Sequence, residues 1–249
     1  DHGHIPTTPI FASRGVAYDS NKINWIGSVT KEVFISYIWH KAKAKSIEDL
    51  KTIPAKFGGQ AVGSFSIDLA ILAKKFIGLK LNILTGYRGS AETRLAMERE
   101  EIDGNFGSAW SAVKRGAPTW IKEKKITILS QSSFKRDPRM PDVPTIISFI
   151  KDKNDRKAME LYLSRQETGK PYFTGPGVPK ERVAILRAAF QKTLKDPEFI
   201  ATIKKGNLDL KEPMSGKDIE MFIKEASETP KSTVKILNDV WGSFADQKK

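Results

Sequence analysis

Apolar residues in this chain of 249 come in short runs separated by glycine, proline and serine, and the runs alternate between two spacings. Ile23 to Val29 and Val33 to Trp39 are dense in β-branched and aromatic residues and predict strands. Ser46-Ile-Glu-Asp-Leu predicts a short helix, with a capping serine and acids in its first turn. Phe57 to Val62 predicts a brief strand. From Ile67 to Ile77, Leu69, Leu72, Ala73 and Phe76 share one helical face, and Gly78 suits the C-cap. Leu81 to Leu84 then predicts a strand, Glu92 to Glu101 a helix and Ile102 to Phe106 a strand. Ala109 to Arg115 reads as a helical turn and Ile126 to Ser130 as a strand. This alternation argues for an α/β fold with a parallel or mixed, doubly wound sheet.

Beyond it, Lys135-Arg-Asp-Pro-Arg-Met-Pro-Asp-Val-Pro carries three prolines, which exclude regular structure. A short helix is predicted around Thr145 to Ile150, another over 155–165, and an extended segment at Pro171 to Thr174. The tail turns helical. Lys180 to Lys195 carries Val183, Leu186, Ala189, Phe190 and Leu194 on one stripe and stops at Asp196-Pro197. Glu198 to Lys205 follows, Ser215 caps a third helix running to about Ser227, and Pro230 opens a fourth. Asp1 to Gly15 reads as irregular, and His2 and His4 there form at most an adventitious copper or nickel site.

The chemistry concentrates between Gly63 and Ser108. Three apolar runs end there in Gly/Ser-rich turns, and the first two turns open directly into helices. In a parallel sheet such turns sit at the carboxyl ends of strands, where ligands bind. The helices after Ser66 and Ser90 aim unpaired backbone N–H groups and a positive dipole end into one crevice, which suits a small anion such as a carboxylate. Ser64, Ser66 and Ser90 read equally as N-caps, and capping leaves other donors open. Arg88 either forks onto a ligand carboxylate or pairs with Glu92. Asp68 complements the helix dipole or bonds a ligand amine. Asp103, Trp110 and Trp120 read as structural.

Composition narrows this little. Hydrophobic residues make up 39%, which is globular, and no apolar run approaches the roughly 20 residues of a membrane span. Cysteine is absent, which excludes disulfides, thiolate catalysis and Cys-based zinc sites. No cofactor is expected. The formal charge of +13 favours acidic partners. A basic nucleic-acid-binding protein is the alternative class, with Lys41-Ala-Lys-Ala-Lys, Lys122-Glu-Lys-Lys and Lys204-Lys as its charge. These lysines are dispersed and mixed with acids, with no aromatic-interleaved stripe. No nucleophile elbow, phosphate loop, dinucleotide fingerprint or paired metal histidines occur, and His40 has no triad around it. The chain is expected not to be an enzyme.

Four stretches resemble the Bug-type solute-binding proteins of tripartite tricarboxylate transporters. They are Gly63-Ser-Phe-Ser with its helix, Gly86-Tyr-Arg-Gly-Ser-Ala-Glu through Glu101-Ile-Asp-Gly-Asn-Phe-Gly-Ser, Lys135 through Val143-Pro-Thr, and Gly175-Pro-Gly-Val-Pro-Lys-Glu-Arg. Their order and spacing match over nearly the whole chain. The resemblance implies a two-lobed, type II periplasmic-binding-protein-like α/β fold, extracytoplasmic and preceded by a signal peptide. It implies a monomer that closes on a small carboxylate and presents it to membrane permease subunits. Carried onto matching positions, it implies ligand contact by Gly63, Ser64, Phe65 and Ser66 in one turn and by Tyr87, Arg88, Gly89, Ser90 and Ala91 in the next. Asn105 and Ser108 would line the same cleft. The expected lobes are 1–39 with 166–249, and 40–165. Family members begin with a further strand and Pro/Gly-rich turn that nothing here matches. The first lobe is therefore expected to be N-terminally incomplete, with the C-terminal helices packed on it, and a truncated, non-functional remnant is a second alternative.

Overall fold

The computed structural model describes residues 5–11, 16–206, 208 and 210–246. His2 and His4 lie outside them. The chain forms two compact units, Asp1–Glu32 with Leu161–Val234, and Val33–Glu160 with Lys235–Lys249. In order, α1 (Thr8–Phe11) and β1 (Asn24–Ser28) begin the first unit. The second holds β2 (Phe34–Trp39), β3 (Ala55–Gly58), α2 (Phe65–Ile77), β4 (Leu81–Leu84), α3 (Ser90–Glu98), β5 (Gly104–Ala109), α4 (Trp110–Gly116), α5 (Pro118–Lys122) and β6 (Ile126–Ser132). After α6 (Lys153–Leu163) come β7 (Pro171–Thr174), α7 (Lys180–Thr193), α8 (Pro197–Lys205), β8 (Met214–Ser215), α9 (Gly216–Ser227) and α10 (Lys231–Asp246). Among the described residues no helix is long and apolar enough to cross a membrane.

The first unit is built on a three-stranded antiparallel sheet in the order β7-β1-β8. Trp25 is fully buried on β1 against Ile219 and Ile223 of α9, and its indole N–H donates to the Ser20 carbonyl at 3.0 Å. The start of α9 is a complete capping box. Asp218 N–H donates to Ser215 Oγ, and Ser215 N–H donates to the Asp218 carboxylate at 2.7 Å. Those Ser215 bonds hold the Asp218 carboxyl below the ordinary carboxylate range.

The second unit is a five-stranded mixed sheet in the order β4-β3-β5-β2-β6, with β3 parallel to both β4 and β5 and β2 antiparallel to β5 and β6. From β3 the chain steps outward to β4, then returns across β3 to β5. Right-handed crossovers in opposite directions put α2 and α3 on opposite faces. The cores agree. Ile35, Tyr37 and Trp39 of β2 pack with Ala96 and Met97 of α3, Trp110 and Trp120 on one face. Phe34 stacks on Phe65 of α2 at 4.2 Å on the other. Trp110 and Trp120 are thus core residues, as their sequence context suggests.

Four expectations shift. The expected first lobe includes Val33 to Trp39, whereas β2 lies between β5 and β6 and groups with the second unit. The part of α10 from Lys235 onward also joins the second unit. The opening stretch is not wholly irregular, since Thr8–Phe11 makes one helical turn. The strand expected to end at Phe106 instead runs to Ala109, because residues 104–109 pair with β2 despite their small side chains.

Candidate functional site

Because β3, β4 and β5 are adjacent and parallel, their carboxyl ends share one edge of the second unit's sheet, where the strand order reverses. Such a reversal opens a crevice in doubly wound sheets. Two turns meet there. Gly59 N–H donates to the Leu84 carbonyl at 3.0 Å, Gly86 N–H to Gln60 O at 2.6 Å, and Tyr87 N–H to Gly59 O at 3.3 Å. Gln60 Nε2 adds a bond to Arg88 O at 3.1 Å. The turns after β3 and β4 are therefore stitched together, and each opens a helix.

At the start of α2, two of the expected donors are already used. Gly63 N–H donates to the buried Asp68 carboxylate at 2.7 Å, and Ser64 N–H donates to Ala61 O at 3.0 Å. Asp68 thus serves its own helix entry rather than a ligand amine. Ser64 occupies the N-cap position without a side-chain cap, because its hydroxyl turns back to Ala61 O at 2.6 Å. Ser66 Oγ lies 3.5 Å from Ser64 Oγ. The N–H groups of Ser66 and Ile67 have no partner among the described residues. Phe65, half-buried, forms a wall through its contact with Phe34.

At the start of α3 the N-cap is Gly89, not Ser90, and no side chain caps it. Glu92 reaches back from the first turn and accepts the Arg88 N–H at 2.5 Å. The Arg88–Glu92 link is therefore main chain to carboxylate, and the Arg88 guanidinium, exposed, has no ion-pair partner among the described residues. The N–H groups of Ser90, Ala91 and Glu92 have no partner among the described residues either. Tyr87 is half-buried with its ring over Gly58, where an added Cβ would stand 2.9 Å from the ring. Burial first, then Glu101 and Glu92, pushes its phenol up.

Asn105 and Ser108 sit at the edge but face inward. Asn105 is 4% exposed, its Nδ2 donates to Gly58 O at 2.8 Å, and its Oδ1 accepts Ser108 Oγ–H at 2.7 Å. Asp103 is structural: it accepts the Lys56 N–H at 2.7 Å through its carboxylate. Sequence reasoning does not single out Gln60, whose side chain bonds Arg88 O. Nothing marks Gln60 in sequence, whereas the acid three residues after Gly89 is a signal for Glu92 at a helix start.

Elsewhere the lysine runs at 41–45 and 122–125 meet where His40 N–H donates to Lys125 O at 2.9 Å. Acids interrupt them, with Lys41 paired to Glu100 and Lys125 to Glu123. Among the described residues no group of three or more His, Asp or Glu side chains is placed to hold a metal ion.

The mixed α/β fold is shared with solved periplasmic binding proteins. The chain is similar to Rhodopseudomonas palustris Rpa4515 solved with adipate, at 17% identity and a TM-score of 0.65, covering 97% of this chain and 75% of that one. It is similar to the periplasmic binding protein BugD at 16% identity and a TM-score of 0.65, covering 96% and 76%. MatC of R. palustris with bound malate gives 15% identity and a TM-score of 0.63, covering 96% and 76%. Among curated proteins no sequence matches. Residues 40–238 match the family described as the tripartite tricarboxylate transporter family receptor, TctC, and the chain belongs to that family.

Proposed function

We propose that this chain is a receptor that captures a small carboxylate through backbone donors at the edge of the second unit's sheet. The observation that carries it is the pair of stitched turns, each opening a helix whose first N–H groups lack partners among the described residues. Two helix openings at one strand-order reversal supply positive dipole ends and several aligned donors without a buried cation, which suits a carboxylate. The ligand-contact residues are Ser66, Ile67, Ser90, Ala91 and Glu92 through their N–H groups, with Phe65, Tyr87 and the Arg88 side chain around them. Gly63, Ser64, Asn105 and Ser108 support these turns from within, and Gly89 frees the entry to α3. Membership of the family and the adipate and malate in two similar structures favour di- or hydroxy-dicarboxylates. The receptor binds without catalysis, outside the cytoplasm, and delivers its ligand to membrane permease subunits.

A thermal-shift series tests this reading. Adipate, malate and succinate are compared with their diamides, which keep the size and remove the charge. A ligand bound only by the folded state stabilises it by about 2.7 kcal/mol at a hundredfold excess over Kd. A saturable rise with at least one dicarboxylate and none with its diamide is expected. No rise with any carboxylate, or equal rises with the diamides, contradicts the reading.

A further inference from the structure

Within the stretch where they pair, β5 uses one residue more than β2. Ile35 of β2 pairs with Ser108 and Tyr37 with Asn105, so two steps on β2 span three on β5. The extra residue sits at Phe106–Gly107, and Gly107 takes φ +77°. A bulge with a left-handed glycine re-aims the side chains that flank it. Asn105 and Ser108, three apart, would point to opposite faces of a regular strand. Here they meet at 2.7 Å.

The meeting completes a directed chain. Ser108 spends its one proton on Asn105 Oδ1, so in the 3.3 Å contact between Tyr37 OH and Ser108 Oγ the phenol is the donor. Tyr37 is buried, and burial pushes its phenol up, so the proton stays on at neutral pH. Asn105 passes the constraint on, donating to Gly58 O at the last residue of β3. The next residue, Gly59, accepts the Tyr87 N–H and donates to Leu84 O, which are bonds holding the two turns together.

We infer that Tyr37 is a positioning residue for the carboxylate site, acting through Ser108, Asn105 and Gly58 to set the spacing of the two helix openings. The inference rests on the proposed carboxylate reading for its functional half, while its structural half stands on the hydrogen bonds alone. Tyr37→Phe keeps the ring and its 6.3 Å edge contact with Trp120, so the fold is retained.

Amide hydrogen exchange on Tyr37→Phe, Ser108→Ala and the double variant decides it. Gly59, Gly86 and Tyr87 N–H should exchange about tenfold faster in each, about one hydrogen bond's worth, while Leu72 and Ala73 inside α2 change less than about threefold. The double variant should be no worse than the more severe single one, since both cut the same chain. Unchanged turn amides, or acceleration equal in the turns and in α2, overturns the inference. Calorimetry with adipate and malate is the second arm, where Tyr37→Phe should raise Kd about three- to tenfold. Equal binding by wild type and variant overturns the positioning role. Binding of neither ligand by wild type counts against the carboxylate reading, and the exchange result still decides what Tyr37 does.

Discussion

Gly107→Ala is expected to destabilise the second unit by about 2–5 kcal/mol. Two costs add. The backbone sits at φ +77°, where an L side chain costs about 1–2 kcal/mol. An added Cβ would also stand 2.9 Å from the Phe65 ring and 3.1 Å from Leu69 Cδ2, so these α2 side chains must shift, and overpacking of this kind costs about 1–3 kcal/mol. Gly86→Ala is the control. It also has positive φ, +112°, but nothing lies within 4 Å of its added Cβ, so only a backbone cost of the same kind, about 1–2 kcal/mol, should appear, with no packing cost. Urea denaturation followed by tryptophan fluorescence measures both. If the two glycines cost the same, the bulge is not the packed joint described above. Because Phe65 opens α2, Gly107→Ala should weaken carboxylate binding as well.

Ser90→Pro should leave the fold intact and cut carboxylate affinity about tenfold or more, the worth of one hydrogen bond to a charged group at about 1.5–3 kcal/mol. Ser90 is the first residue of α3, where proline is favoured and its missing N–H breaks no helical bond. Gly89 is already extended, at φ 172° and ψ −176°, which suits a residue before proline. The substitution therefore deletes one donor of the helix opening and little else, with stability changed by less than about 0.5 kcal/mol. Ser90→Ala separates the hydroxyl from the amide. If the hydroxyl touches the ligand, that variant loses about 1–2 kcal/mol of binding, and otherwise it binds as wild type. Calorimetry with a dicarboxylate that shifts the melting temperature reads both. Full affinity in Ser90→Pro removes this amide from the site.

How much of this was legible in the chain depends on whether the signal is local. The apolar stripe from Leu69 to Phe76 and the glycine after it predict α2 and its cap, and Gly78 does take φ +77°. The turns at 63–66 and 86–91 were legible because Gly and Ser cluster between a strand and a helix. Of the two roles open to Ser90 in the sequence, the N-cap falls one residue earlier, since Glu92 bonds Arg88 N–H and leaves Gly89 at the boundary. Asp68 and Gly63, five apart, close on each other only once the turn exists. The direction of β2 was not legible at all. Phe34 to Trp39 is buried on both faces, and a run that is apolar but for Ser36 carries no alternation from which to read neighbours. The link from Tyr37 to Asn105 was hidden for the same reason, because it needs both the antiparallel register and the bulge. The family resemblance supplies candidate ligand-contact positions, and the hydrogen bonds separate those with open donors from those that brace the turns.

The central claim is that main-chain amides at two helix openings, rather than side-chain cations, hold the carboxylate. The most direct measurement is an amide-resolved NMR titration with adipate or malate. The account predicts that the Ser66, Ile67, Ser90, Ala91 and Glu92 amide resonances move together, with one shared Kd, while those of Gly63 and Ser64, already bonded, move less. Shifts confined to the lysines at 41–45 and 122–125, or movement at only one helix opening, would contradict it.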